Sequence, residues 1–235
     1  MADRGVSEMV GFVLIFALVV TTLGVVYTAG TASLTDARDA ERVNNAERAF
    51  DVLADDVEAI TRRNAPSRAT AVSLADAGLR VERGEEIRVS VGGEVVDAAS
   101  GRLVYDSGTG SDVLYRNGAV LRGEGAGGSM AHRPSFVIGE ERLVVRLVEL
   151  YDVDATAVSG DRTVLVRAER IGTMQYSYSS IEQPVTIAVE TEHERAWTEY
   201  FESRGGTCES NRTVECAFEP DELHVVRVDI GVRFS

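Results

Sequence analysis

The stretch GFVLIFALVVTTLGVVY, Gly11–Tyr27, decides the architecture of this chain. It contains no charged residue, and the uncharged sequence runs on from Met9 to Thr35. Extended to Ala32, it reaches the roughly 20 apolar residues that cross a lipid bilayer as a helix. Inside lipid every backbone polar group needs an internal partner, so an isolated segment crosses only as a helix. We therefore expect the chain to contact the lipid bilayer through residues 10–30, as a single-pass protein of the cell membrane.

Three processing schemes fit this apolar segment. The first is a secretory signal cleaved near Ala32, although its apolar core exceeds the 7–15 residues typical of such signals. The second is an anchor that is not cleaved. The third is a prepilin-type leader, in which residues 1–5 are removed and the apolar helix stays on the mature protein. The very short head with its single arginine, Arg4, favours the third scheme.

The residues before the apolar segment give the candidate processing bond. Arg4-Gly5-Val6-Ser7 resembles the archaeal class III signal, which implies cleavage between Gly5 and Val6. The new amino group of Val6 would then lie two residues from Glu8. A carboxylate at the membrane edge is unfavourable without a partner, so Glu8 is the candidate partner of that amino group. Alternatively, Glu8 extends to the membrane interface by itself. After cleavage before Val6, Glu8 would be the third residue of the mature protein, whereas the comparable glutamate of bacterial pilins is the fifth.

The helical pattern continues beyond the membrane, to Asn64 and Pro66. Between Asp36 and Arg63, apolar residues recur at alternating spacings of three and four, which is the pattern of a helix with one apolar face. They are Val43, Ala46, Phe50, Leu53, Val57 and Ile60. This face either docks on the chain's own domain or pairs with a partner helix. We expect Phe50 and Leu53 to dock, within a helical region that spans residues 6–64.

Small residues in the apolar segment indicate a second kind of helix packing. In lipid, helices associate where small side chains let their backbones approach closely. Gly11, Ala17, Gly24 and Ala29 are the candidates for such a contact with other subunits.

The remainder of the chain, residues 65–235, predicts a β-rich domain outside the cytoplasm. Asn117-Gly118 is a type I′ hairpin signal, and Glu192–Ser203 has the pattern of a short amphipathic helix. The fold class is therefore α+β: a long N-terminal transmembrane helix, then a mostly antiparallel β domain with one short helix in its C-terminal half. A sub-boundary is expected near residues 123–133. Short alternating runs predict the strands: Thr70–Leu74, Leu79–Glu82, Ile87–Val91, Leu103–Tyr105, Val113–Tyr115, Val120–Arg122, Ser135–Ile138, Leu143–Leu150, Val164–Arg170, Val185–Glu190, Val214–Phe218 and Leu223–Phe234.

The composition indicates which class of partner is unfavourable and in what habitat the protein functions. The formal charge is −14, and the 24 basic residues are all arginine. Such an acidic surface repels nucleic acid, so we expect no nucleic-acid partner. An acidic chain without lysine is typical of an extreme halophile, in whose brine repulsion between charges is screened over a few Å. A genome rich in G and C also favours arginine over lysine.

Two further features fit an extracellular domain. The only cysteines are Cys208 and Cys216, and no histidine lies at metal-ligand spacing from them, so outside the cytoplasm they are expected to form a disulfide. Asn211-Arg212-Thr213 lies between them and makes Asn211 a candidate glycosylation site. We find no motif for a cofactor, a metal or a catalytic residue, and expect none.

The N-terminal third resembles a haloarchaeal family of membrane proteins with type IV pilin-like N-termini. The resemblance rests on RGVSEMVGFVLIFALVVTTLGVVY, on NNAERAFDVLADDVE at Asn44–Glu58 and on APSRAT at Ala65–Thr70. Weaker similarity follows at Leu103–Gly108, Leu114–Val120 and Ala196–Phe201. The family implies no activity. It implies a pilin-like, minor subunit of an archaeal surface structure, with other pilin-like subunits or envelope proteins as partners. The alternative is a stand-alone anchored domain that binds a ligand in the envelope; neither is an enzyme.

Overall fold

The structure is a computed structural model that describes residues 3–123 and 127–235, and the side chains of residues 3–9 and 28–34 lie outside that description. Contacts divide the chain into a first unit that ends at Glu41 and a second unit, Arg42–Ser235. The predicted domain limit lay later, between residues 64 and 65. The helix residues after Glu41 group with the β domain because their apolar face is part of its core.

The first element is helix α1, Asp3–Arg62. Its end follows from the local sequence. Asn64 has a positive φ of 61°, a conformation outside the right-handed helix, and Pro66 has no backbone N–H with which to continue the helical hydrogen bonds. The prediction of a long N-terminal helix is therefore confirmed.

The β domain follows, with one short helix, α2 (Glu194–Glu202), near the predicted position. The strands of the described residues are β1 (Ser67–Ser73), β2 (Gly78–Val91), β3 (Glu94–Asp106), β4 (Val113–Arg116), β5 (Ala119–Arg122), β6 (Ser129–His132), β7 (Val137–Ile138), β8 (Arg142–Asp152), β9 (Ala157–Ser159), β10 (Thr163–Ser179), β11 (Val185–Glu190), β12 (Thr207–Asn211), β13 (Thr213–Phe218) and β14 (Glu222–Phe234).

The described strands form two sheets. One has five strands in the order β1-β10-β14-β8-β7, and the other has nine, in the order β12-β13-β11-β2-β3-β4-β5-β6 with β9 beside β2. The pairings are antiparallel except that of β14 with β8, which is parallel from Glu222↔Arg142 to Val232↔Asp152. The predicted fold class, a long helix followed by a mostly antiparallel β domain with one short helix, is confirmed.

Two apolar clusters fill the second unit. The helix cluster joins the apolar face of α1 to side chains of both sheets, among them Leu79, Tyr105 and Val166. The aromatic cluster lies under α2, where Trp197 and Phe201 stack with ring centroids 5.7 Å apart. Strand β8 contributes to both clusters: Leu143, Val145 and Leu147 pack in the aromatic cluster, and Val148 and Leu150 pack in the helix cluster.

The predicted hairpin at Asn117-Gly118 is confirmed. The two residues connect β4 to β5, with Arg116 opposite Ala119. Both have positive φ, 48° and 84°, as a type I′ turn requires. The Oδ1 atom of Asn117 also accepts a hydrogen bond of 2.7 Å from the buried N–H of Val148, which ties this turn to β8 in the other sheet.

Several strand limits differ from the prediction. The runs Leu79–Glu82 and Ile87–Val91 belong to the single strand β2, because the irregularity between Glu82 and Glu86 shifts the pairing register with β3 without ending the strand. No division appears within 42–235 among the described residues. Residues 129–132, inside the predicted sub-boundary, form β6 and pair with β5.

Candidate functional site: the membrane anchor and its β domain

The apolar part of α1 is the candidate anchor. The 18 residues Val10–Tyr27 are strongly apolar, carry no charge and are 0% buried in the chain's own fold. By length and composition this segment is compatible with single-pass anchoring in a membrane, and a signal sequence has the same two properties.

The two threonines of the segment are accommodated by the helix itself. The hydroxyl of Thr21 donates to the carbonyl of Ala17 at 2.7 Å, and that of Thr22 donates to the carbonyl of Leu18 at 2.8 Å. Each donor is therefore satisfied without water. These bonds remove the main obstacle to placing two hydroxyl groups in the lipid interior.

The predicted small-residue positions lie on more than one side of α1. A Cβ added at Gly11 or Gly24 would meet no neighbouring atom within 4 Å. Ala17 and Gly24 are seven residues apart and so share a face of a helix with 3.6 residues per turn. Gly11, six residues before Ala17, lies about 120° away from it around the axis. The geometry groups Ala17 with Gly24 and sets Gly11 apart.

The predicted processing site lies at the beginning of α1. Gly5, Val6 and Glu8 belong to the helical backbone from Asp3 onward. Their side chains lie outside the described part of the chain, and so does the expected contact of Glu8 with the amino group of Val6. Cleavage between Gly5 and Val6 and the contact of Glu8 with the new amino group therefore both remain predictions.

The apolar face of α1 after Glu41 is buried against both sheets. Phe50 is 0% exposed and Leu53 is 3% exposed, and the other members of the stripe pack in the same helix cluster. Polar contacts flank this face: Nη1 of Arg122, at the end of β5, donates to Asn44 at 2.8 Å and to Glu47 at 2.9 Å. Of the two alternatives for the stripe, docking on the chain's own domain is the one that the structure contains.

A buried arginine connects three strands of the large sheet. The side chain of Arg116, at the end of β4, is 1% exposed. Its Nη1 donates to Oε2 of Glu85 in β2 at 3.0 Å and to the backbone carbonyl of Glu190 in β11. Arg102 of β3 also donates to Glu85, at 3.0 Å. A charge this deep needs a charged partner, and the carboxylate of Glu85 supplies it.

Cys208 and Cys216 face each other across the hairpin of β12 and β13. They are directly opposite in the register, with Cα atoms 4.1 Å and sulfur atoms 2.05 Å apart, at disulfide distance. Cys216 is fully buried in the aromatic cluster. The pair therefore holds the outer strand β12 to the core, an arrangement that fits an extracellular domain.

Asn211 occupies the tip of the same hairpin. It is exposed and stands opposite Thr213, with Arg212 between them at a positive φ of 61°. This position leaves the side chain of Asn211 accessible from solvent. In the described residues, no group of three or more His, Cys, Asp or Glu side chains is placed to hold a metal ion.

Sequence reasoning missed two features of the domain. It did not identify Arg116 as buried, because a charged residue next to a turn normally lies at the surface. It also predicted that the strand beginning at Val164 ends at Arg170, whereas β10 continues to Ser179. The absence of any charge between Ile171 and Ser179 was the signal that could have revealed this extension.

The chain was compared with known proteins. A family model described as a family of unknown function, DUF7289, matches residues 4–233. No curated protein and no solved structure matches the chain. The match includes both the apolar N-terminal segment and nearly the whole β domain, and the chain therefore belongs to this family of unknown function.

Proposed function

We propose that this chain is a membrane-anchored, pilin-like subunit, and a minor one, of an archaeal surface structure, and that it is not an enzyme. The observation that carries the proposal is the N-terminal segment Val10–Tyr27. It is helical, apolar and wholly unburied by the chain's own fold, so its apolar side chains need lipid or another helix as an environment.

Three features support a β domain outside the cytoplasm. Cys208 and Cys216 lie at disulfide distance, and such bonds persist in oxidising compartments. Arg4, before the apolar segment, favours a cytoplasmic N-terminus under the positive-inside rule. The sequon at Asn211 lies exposed at a hairpin tip, which is where a glycan could be attached. The acidic composition without lysine supports a halophilic archaeal source.

The experiment that tests the proposal is to determine the N-terminus of the native protein after extraction from membranes. We expect it to begin at Val6 and to retain the apolar helix. A start at Met1 or Ala2 would show an unprocessed anchor and favour the stand-alone envelope domain. A start near Ser33 would show a secreted protein and exclude anchoring.

A pair of variants makes the test specific. Gly5→Leu places a large side chain next to the bond that is cut, so we expect the leader to remain. Ala2→Leu adds the same bulk outside the four-residue signal, and its product should still begin at Val6. Equal processing of the two variants would contradict a prepilin-type cleavage.

A further inference from the structure

The two halves of strand β10 differ in whether they pair with a neighbouring strand on both sides or on one side. Residues Thr163–Glu169 pair on one side with β1, from Ser73↔Thr163 to Ser67↔Glu169. On the other side β14 pairs with β10 along nearly its full length, to Ser179↔Glu222. Beyond Arg170, whose N–H donates to the carbonyl of Pro66, β1 has ended. From Ile171 to Ser179, β10 is therefore an edge strand of the described sheet, and we call these residues the free edge.

Apart from the register shift between Arg170 and Gly172 where it begins, the free edge lacks the features that normally prevent pairing with another chain. Natural edges are short, or carry lysine, proline or charges. Ile171–Ser179 (IGTMQYSYS) carries none of these, in a chain in which 26% of the residues are charged. Among the described residues the other outer strands are shorter or charged: β7 has two residues, β9 has three, β6 has four, β1 contains Arg68 and β12 contains Glu209.

The side chains of the free edge are also exposed and partly apolar. Ile171 is 58% exposed, Tyr178 41% and Met174 38%. Tyr176 and Tyr178 stand opposite Val225 and Leu223 of β14, whose side chains pack in the aromatic cluster. The apolar face of the sheet therefore reaches this edge, where an added strand would cover it.

We propose that the free edge pairs with the same edge of a second copy of this chain, as two antiparallel strands related by a two-fold axis at Gln175. Salt screens the net charge of −14 beyond a few Å, but carboxylates brought into direct contact still repel each other, so an uncharged edge is where two copies can approach. An isologous contact needs one self-complementary patch, and antiparallel pairing of identical strands provides it. The segment ends at an irregularity at Ile171 and at Ser180, which has a φ of 56°, and Gln175 is its midpoint.

The proposed register places compatible side chains opposite each other. Gly172 stands opposite Tyr178, so an aromatic ring covers a glycine. Met174 meets Tyr176, a favourable sulfur–aromatic pair. Thr173 stands opposite Ser177, and Gln175 stands opposite itself, so both pairs can hydrogen-bond.

The pairing is between β domains and makes no use of the apolar helix for contact. Pairing along an edge of nine residues buries less surface area than the interface of a dimer that is stable in solution. We expect it to form where anchoring concentrates the chains in one membrane, because effective concentration then replaces interface area. To that extent the inference rests on the proposed anchoring.

The test is cysteine cross-linking of the full chain in native membranes. Because Cys208 and Cys216 lie at disulfide distance from each other, an added cysteine is the available thiol. Gln175→Cys should give a dimer on oxidation that reductant removes. Thr163→Cys is the matched control: it is exposed on the same strand but lies where β1 covers the edge, and it should stay monomeric.

A mixed experiment tests the register. Thr173→Cys and Ser177→Cys should each cross-link poorly alone and form a dimer when both are present in one membrane. Absence of every dimer, with the protein in the membrane fraction, would overturn the pairing and leave the anchoring intact. Equal cross-linking of Thr163→Cys and Gln175→Cys, or an adduct with a protein of another mass, would also overturn it. Loss of the chain from the membrane fraction would instead refute the anchoring, and with it the pairing that depends on it.

Discussion

Nη1 of Arg116 lies 3.0 Å from Oε2 of Glu85, and this ion pair joins the hairpin of β4 and β5 to β2. The arginine is 1% exposed and the glutamate 27%. Burial works against the charge of a guanidinium, so it lowers the pKa of Arg116, and the negative charge of Glu85 opposes that shift. The pair therefore lies where removal of one partner leaves a charge without compensation.

Glu85→Ala is expected to lower the free energy of unfolding by about 3 kcal/mol, the lower end for a broken buried pair, because Glu85 retains some solvent contact. Glu86→Ala is the matched control, since the partner of Glu86 is Arg88, whose side chain is 38% exposed. Its effect should stay below about 1 kcal/mol, as for surface ion pairs. Denaturant unfolding of the two variants makes the comparison, and equal losses would contradict the importance of the buried pair.

Phe50→Ala should destabilise the β domain by about 3–5 kcal/mol, because it leaves a cavity between α1 and the sheets. Val52, two residues away on the same helix, is 52% exposed. Val52→Ala should change the free energy of unfolding by less than about 0.5 kcal/mol. Thermal unfolding of the detergent-extracted chain measures both. If the two variants behave alike, the apolar face of α1 is not part of the domain core.

A double variant with Cys208→Ser and Cys216→Ala should have a free energy of unfolding lower by about 2–3 kcal/mol, as the chain-entropy model gives for a loop of this size. The strands of the core should remain folded, and protection of the β12 backbone against hydrogen exchange should fall first. Alkylation of the native, non-reduced protein gives an independent check. Modification of either cysteine before reduction would show that the disulfide is absent.

The lowered pKa of Glu82 predicts that the domain loses stability in acid. Burial by itself raises the pKa of Glu82, but hydrogen bonds from Arg80 at 2.6 Å and Arg102 at 2.7 Å outweigh it, so the pKa lies below its ordinary value of 4.5. The unfolded chain therefore binds this proton first as the pH falls. The stabilisation is complete above pH 4.5 and disappears as the pH falls through the lower pKa of the folded state.

Glu82→Gln should flatten this acid dependence, measured as denaturant stability between neutral pH and the acid range. Glu94→Gln, at an exposed position in β3, is the control and should keep the slope of the wild type. Equal slopes for wild type and Glu82→Gln would rule out this linkage.

Gly24→Leu should leave the anchor inserted, because leucine favours both helix and lipid. The larger side chain should weaken assembly in the membrane if Gly24 allows close helix approach. Cross-linking in native membranes, followed by size analysis of the extracted complexes, measures this. Gly11→Leu, which adds the same side chain about 120° away from the Ala17 face, tests whether one face carries the contact. A wild type that runs only as a monomer would favour the stand-alone domain.

The sequence by itself determined the features that depend on neighbouring residues. Gly11–Tyr27 predicts a spanning helix because lipid offers its backbone no other partner. The alternating spacing from Val43 to Ile60 predicts one buried face, since that face repeats with the helical turn. Asn117-Gly118 predicts the hairpin because both residues tolerate positive φ.

Tertiary structure alone decided which distant segments meet. The parallel pairing of β8 with β14 joins residues about 80 positions apart, and each strand is predictable without indicating its neighbour. Arg116 is buried because the fold brings Glu85 and the carbonyl of Glu190 to it. The free edge of β10 exists because β1 begins only at Ser67, opposite Glu169. Local propensity cannot encode these relationships, because they arise from contacts between segments that the sequence separates.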